Sequence, residues 1–240
     1  MRKGHQYSGF SLTEVLLAVG TLAIGMIFIS GTFLTGIHFS TIATERTIAA
    51  VVADEAFAKI RLYGVDPADP NVMVNQQTRF ESVSLIPVPA TEFAYPSTKT
   101  SAEKHYFWSA ICRPVYFGSD NRLFQVTVFV SRKTGTTTTY EGGTGLPVPV
   151  AVGVTGTVGD YMLSITDNVT FINDGYTIVE NGTGDIYRVV ERRADPALPE
   201  QITLARDKPW RGGGSVWVVP PPVGGGKNPC IGVYQRLIRF

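Results

Sequence analysis

Residues 15–44 read VLLAVGTLAIGMIFISGTFLTGIHFSTIAT, thirty positions without one Asp, Glu, Lys or Arg. A helix needs about 20 apolar residues to cross the hydrocarbon of a bilayer, so this stretch suffices to span one. A core helix that long with no polar face would be unusual in a body this small. Upstream, Arg2 and Lys3 come before any acid. The positive-inside rule then puts the N-terminus in the cytoplasm and the rest of the chain outside. The run exceeds the roughly 7–15 apolar residues of a secretory signal, and no small-residue cleavage site follows it.

Past Thr44 the character changes. ERTIAAVVADEAFAKIRLYG, residues 45–64, places Ile48, Val52, Ala56 and Ile60 on one stripe with Val51 beside it, and most charges elsewhere. That is amphipathic helical spacing. No breaker intervenes before Gly64 and Pro67. One helix over 10–63 is therefore predicted, roughly 80 Å long, with its outer half lying on the globular body. Glycines at 20, 25, 31 and 36 suit close helix approach or local softening, or are ordinary glycines of a membrane helix.

Beyond Gly64 the helical signal fades into the linker GVDPADPN. Residues 106–112 (YFWSAIC) and 123–131 (LFQVTVFVS) read as a hairpin with its turn at 117–121. The Thr- and Gly-rich segment 133–145 marks a boundary. A second β region is expected over 146–240. Its hairpin, 169–172 with 176–180, turns at Asn173-Asp174-Gly175. Further strands are expected at 186–192, 201–205, 215–219 and 231–238, forming a small sandwich or barrel. The prolines at 220–222 confine Trp217 to an edge strand. The fold class is thus α+β: a long N-terminal helix on an antiparallel β body (64–145), followed by a second small β sandwich or barrel.

Composition removes several functions. Twenty-one Lys and Arg against 20 Asp and Glu give a net charge of +1, without the basic footprint of a nucleic-acid binder. No metalloprotease, phosphate-loop, nucleophile-elbow or C-x-x-C motif occurs, and none of the three histidines has a ligand partner at useful spacing. Neither a cofactor nor a metal is expected. The acidic loops 66–69 and 167–174 lack the full ligand set of a calcium loop. Trp210, Trp217 and Tyr234 are either core or a contact surface. Cys112 and Cys230 admit one bridge across 118 positions or two unpaired buried thiols.

The segment before the apolar run is the most distinctive. Residues 1–26 read MRKGHQYSG followed by FSLTEVLLAVGTLAIGM. They resemble the class III leader of type IV pilins and type II secretion pseudopilins. The resemblance implies residues 1–9 as leader, cleavage by prepilin peptidase between Gly9 and Phe10, and N-methylation of Phe10. It also implies assembly through Glu14, with a transmembrane part at about 15–39. A carboxylate beside a hydrocarbon segment is costly and calls for a partner. The amine released on Phe10, four residues away or on a neighbouring chain, would supply one and set register. Ser11 stands where Thr is commoner, and Gly31 where many major pilins carry a helix-kinking proline.

The implied protein is a structural subunit, minor or initiating, of a type IV pilus or type II secretion pseudopilus, and not an enzyme. Its partners would be prepilin peptidase, other pilin or pseudopilin subunits, an inner-membrane assembly platform and membrane lipid. It would be stored as a single-pass inner-membrane protein with a periplasmic or extracellular body. Two alternatives stand beside this reading. One is an adhesion or DNA-uptake pilin acting through the C-terminal β region; the other is a membrane-anchored exported enzyme.

Overall fold

The computed structural model describes residues 11–100, 103–115, 122–134, 139–141, 143, 145–167, 169–193 and 200–240. The chain divides into two compact units, Met1–Glu45 and Arg46–Phe240. Helix α1, Leu12–Tyr63, runs through the boundary with 52 residues, roughly 78 Å. The expected start at Phe10 lies outside the described residues.

Within the second unit α1 buries Ala49, Val52, Ala53, Ala56, Phe57 and Ile60. This i, i+3, i+4 progression keeps Val52, Ala56 and Ile60 of the expected stripe but leaves Val51 49% exposed. The second ridge is Ala49, Ala53 and Phe57, whose small members admit the backbone beneath them. A Cβ added at Gly232 would stand 3.3 Å from that of Ala49. The helix ends where Gly64 turns left-handed (φ 69°) and donates to the Ile60 carbonyl at 3.0 Å.

Beneath this helix lies a five-stranded antiparallel sheet. Its strands are β1 (Thr78–Arg79), β2 (Ala94–Tyr95), β3 (Tyr106–Pro114), β4 (Leu123–Arg132) and β11 (Cys230–Arg239). The order is β1-β3-β4-β11, with β2 also on β3. A short helix α2 (Phe80–Val83) and a 3₁₀ turn at Ala90–Phe93 separate β1 from β2. The expected hairpin forms as β3 and β4, in register from Tyr106↔Arg132 to Pro114↔Phe124. Its turn at 117–121 falls outside the described residues.

Alternation on β4 builds two cores. Phe124, Val126, Val128 and Val130 meet the helix with Trp108, Phe80 and Ile238. Phe129 points the other way and packs with Ile111, Val179 and Val219.

The opposite face of the sheet meets a closed antiparallel barrel. Its members are β5 (Val150–Thr155), β6 (Met162–Ile165), β7 (Thr177–Glu180), β8 (Ile186–Arg193), β9 (Gln201–Leu204) and β10 (Ser215–Val218), in the ring order β10-β5-β6-β9-β8-β7. Strands β7, β8 and β9 meander and β10 returns beside β7, a Greek-key path. Trp210, Leu163, Ile172, Ile178 and Ile202 fill the interior.

The barrel corrects four expectations. Strands β5 and β6 were not foreseen. The segment expected at 169–172 is not a strand: Asp174 Oδ1 accepts the Arg192 N–H at 2.8 Å and the Arg192 side chain holds the Thr170 carbonyl, so β8 binds it through side chains. The hairpin forms instead between β7 and β8. Trp217 is not on an edge, because β10 pairs with both β5 and β7 and the prolines begin only beyond its last rung. Finally, the C-terminal strand leaves this region and pairs with β4 from Cys230↔Ser131 to Arg239↔Leu123.

That return also decides the cysteines. Cys112 is level with Val126 and Cys230 with Ser131, five residues apart on β4, or roughly 16 Å. Cys112 belongs to the helix-side core and Cys230 to the barrel-side core. A bridge needs Cα atoms within about 7 Å, so both remain free thiols, and burial pushes each up to about 12. Alkylation of the denatured chain without reductant should modify both cysteines. In the folded chain at pH 8 both should react slowly, because almost no thiolate forms. Unmodified cysteines after denaturation would restore the bridge.

Candidate functional site

The start of α1 is built on the stretch Ser11-Leu12-Thr13-Glu14. Ser11 takes the N-cap position: the Glu14 N–H donates to its carbonyl at 3.0 Å and to its Oγ at 3.3 Å, and the Val15 N–H to its carbonyl at 3.2 Å. Glu14 is then the third helical residue, at the S-x-x-E spacing of a capping box, where the helix dipole favours a carboxylate. Sequence reasoning had weighed Glu14 as a membrane-edge charge and as the assembly residue pairing with the Phe10 amine; the S-x-x-E spacing was the missed signal. Gly9 and Phe10 lie outside the described residues.

From Glu14 onward the first unit is a bare apolar rod. Leu16, Leu17, Leu22, Ile27, Phe28 and Phe33 are each 60% exposed or more, and the apolar side chains point in every direction. The helix is long and apolar enough to cross a membrane. Most of the hydroxyls along it are satisfied internally. Thr21 donates to the Leu17 and Ala18 carbonyls, Ser30 to Met26, Thr35 to Gly31 and Thr41 to Ile37, at 2.8–3.0 Å. Hydroxyls bonded this way carry no unmet demand into an apolar surrounding.

A second constellation, absent from the sequence reading, lies where the barrel meets the sheet. The β7–β8 turn, residues 181–185, is gripped from several sides. Glu180, 1% exposed, accepts from the Gly182 N–H at 2.6 Å, the Thr183 hydroxyl at 2.6 Å and the Thr183 N–H. From β3, Arg113 donates to the Gly182 carbonyl at 2.9 Å and to Gln125 at 2.5 Å. Burial works against that guanidinium's charge, while Glu180 and Asp185 support it. From β11, Gln235 donates to the Gly184 carbonyl at 2.8 Å. Asn181 Oδ1 accepts from Trp217 Nε1 at 2.8 Å and from the Gln77 N–H at 3.0 Å.

The space around Glu180 admits nothing more. A Cβ on Gly213 would fall 2.1 Å from its Oε1, and Gly213 holds φ at 121°. With both oxygens engaged, this carboxylate anchors a turn.

Other flagged residues are dispersed. His38 and His105 are exposed. Asp66 and Asp69 close local turns on the Ala68 and Asn71 N–H groups, and Asp167 takes the Gly153 N–H at 2.7 Å. Among the described residues no group of three His, Cys, Asp or Glu could hold a metal ion. Trp210 is core, while Trp217 and Tyr234 are half-buried, Tyr234 donating to the Arg46 carbonyl at 3.5 Å.

Comparison with models of known protein families, with characterised proteins and with solved structures returns no match.

Glu180→Ala leaves three half-buried donors at the sheet–barrel contact without their acceptor. Urea unfolding should show a loss of about 3 kcal/mol, with Glu180→Gln intermediate. A loss below about 1 kcal/mol would show that the turn holds without its carboxylate.

Proposed function

We propose that this chain is a structural subunit, minor or initiating, of a type IV pilus or type II secretion pseudopilus. It is stored in the inner membrane, processed by prepilin peptidase between Gly9 and Phe10, N-methylated at Phe10, and assembled through its N-terminal helix. The observation that carries the reading is the uncharged, outward-facing rod of α1 following directly on G-F-S-L-T-E, residues 9–14. A rod with apolar side chains on every side must be surrounded, first by lipid tails and then by helices of neighbouring subunits.

Glu14 divides the two states. In the capping position it is stabilised by its own helix terminus, so storage needs no second chain. In a filament core a carboxylate without a counter-charge would cost several kcal/mol, and the methylated amine of an adjacent subunit would remove that cost. The pairing selects register more than it adds stability. The large body and the absence of a proline at position 31 favour a minor subunit over an abundant one.

Intact mass and N-terminal sequencing from the native membrane, with and without the peptidase, test the reading. A chain beginning at methylated Phe10 only when the peptidase is present is the expected result. A chain beginning at Met1, or cut beyond residue 44, would overturn it. Glu14→Val should leave processing intact and reduce incorporation at least about tenfold, the effect of losing one pairing worth more than 1.4 kcal/mol. Normal incorporation would refute the pairing.

A further inference from the structure

Near-neutral net charge hides an uneven distribution. The sheet register sets which loops cluster at the end of the second unit where the chain enters. Arg132 is level with Tyr106 at the last rung of β3 and β4, Cys230 is level with Ser131, and the Lys133 N–H donates to the His105 carbonyl. The Arg132 N–H reaches the Pro229 carbonyl at 2.9 Å, tying the 223–229 loop to the same end. Tyr234 touches the Arg46 carbonyl, and Gly232 faces Ala49, so the first residues of this unit's helix stand there too.

The charged side chains brought together are Arg46, Lys99, Lys104, Arg132, Lys133 and Lys227, against Glu45, Glu103 and Glu141. Glu103 is spent on Lys99, at 3.8 Å. The residues of these loops that lie outside the described set are Gly, Ser, Ala and Thr, and add no charge. The rest of the chain carries more acids than bases. Arg46, Lys99, Lys133 and Lys227 are exposed.

Chain length gives this end its partner. The uncharged run 15–44 measures roughly 45 Å as helix, the thickness of a bilayer including its headgroups. A span of that length delivers Glu45 and Arg46 to the headgroup plane, with the remaining cations of this end beside them. We propose that this basic end of the second unit docks on the anionic headgroups of the membrane that α1 crosses, holding the body at the surface before assembly. The inference rests on the membrane-anchored part of the reading above and not on filament formation. Multiple cations within about a Debye length of an anionic leaflet add their attractions, and salt weakens them.

The test is hydrogen exchange on the full chain in lipid nanodiscs, one set of phosphatidylcholine alone and one with about a third phosphatidylglycerol. Exchange at 97–100, 103–105, 133–134 and 223–228 should slow on the order of tenfold in the anionic discs, and recover as salt rises to about 0.5 M. The double variant Lys133→Glu, Lys227→Glu should lose the slowing while barrel exchange stays unchanged, which shows that it folds. Equal rates in the two lipids, with residues 15–44 protected in both, would overturn the proposal and leave the anchor standing. Unprotected residues 15–44 would instead remove the anchor itself. Slowing that follows the number of chains per disc and ignores lipid charge would assign the surface to a second copy and overturn the proposal.

Discussion

Everything in the second unit depends on β4 being buried on both faces. Its even-numbered residues make the floor under the helix, and Phe129 makes the roof over the barrel contact. Such a strand must be flanked on both edges as well, because each unpaired N–H or C=O at that depth is costly. β3 supplies one edge through a local hairpin. β11 supplies the other from more than a hundred positions away, and that distant requirement pulls the C-terminus out of the barrel region.

The contact between sheet and barrel is of a different kind from the contact between sheet and helix. Helix on sheet is apolar ridge against apolar floor, tolerant of small shifts. Sheet on barrel combines a small apolar cluster with directional hydrogen bonds to one turn, and Glu180, Arg113 and Gln235 each fix a particular carbonyl or N–H of that turn. Apolar area would be satisfied by many orientations of the barrel; these bonds select one.

The sequence made some of this legible and some not. α1 could be read because its apolar period ran without a breaker from 15 to 63, and β3 and β4 because continuous β-branched and aromatic runs flank one turn. The second β region was foreseen as a small sandwich or barrel, but two of its strands were missed: β5 is interrupted by Gly153 and β6 is only four residues long. The cysteine geometry was out of reach, since the face each thiol occupies follows from β11 choosing β4, which no local pattern encodes. The Glu180 cluster was hidden for the same reason: its donors sit on one turn, but Arg113, Gln77 and Gln235 come from strands and loops far away in the chain. Ser11 and Glu14 were the opposite case, a local signal present at the right spacing and read for another meaning.

The barrel occupies the chain between two adjacent strands of one sheet, leaving after β4 and returning as β11. The body's two chain ends, the incoming helix and the last strand, therefore both belong to the helix–sheet layer. A pull applied through α1 and resisted at the C-terminus travels through the helix–sheet packing and the eight consecutive rungs between β4 and β11 from Gly232 to Arg239, which would have to slide past one another together. The barrel lies off this path as a side branch. Its surface is free to change without altering how the body carries mechanical tension.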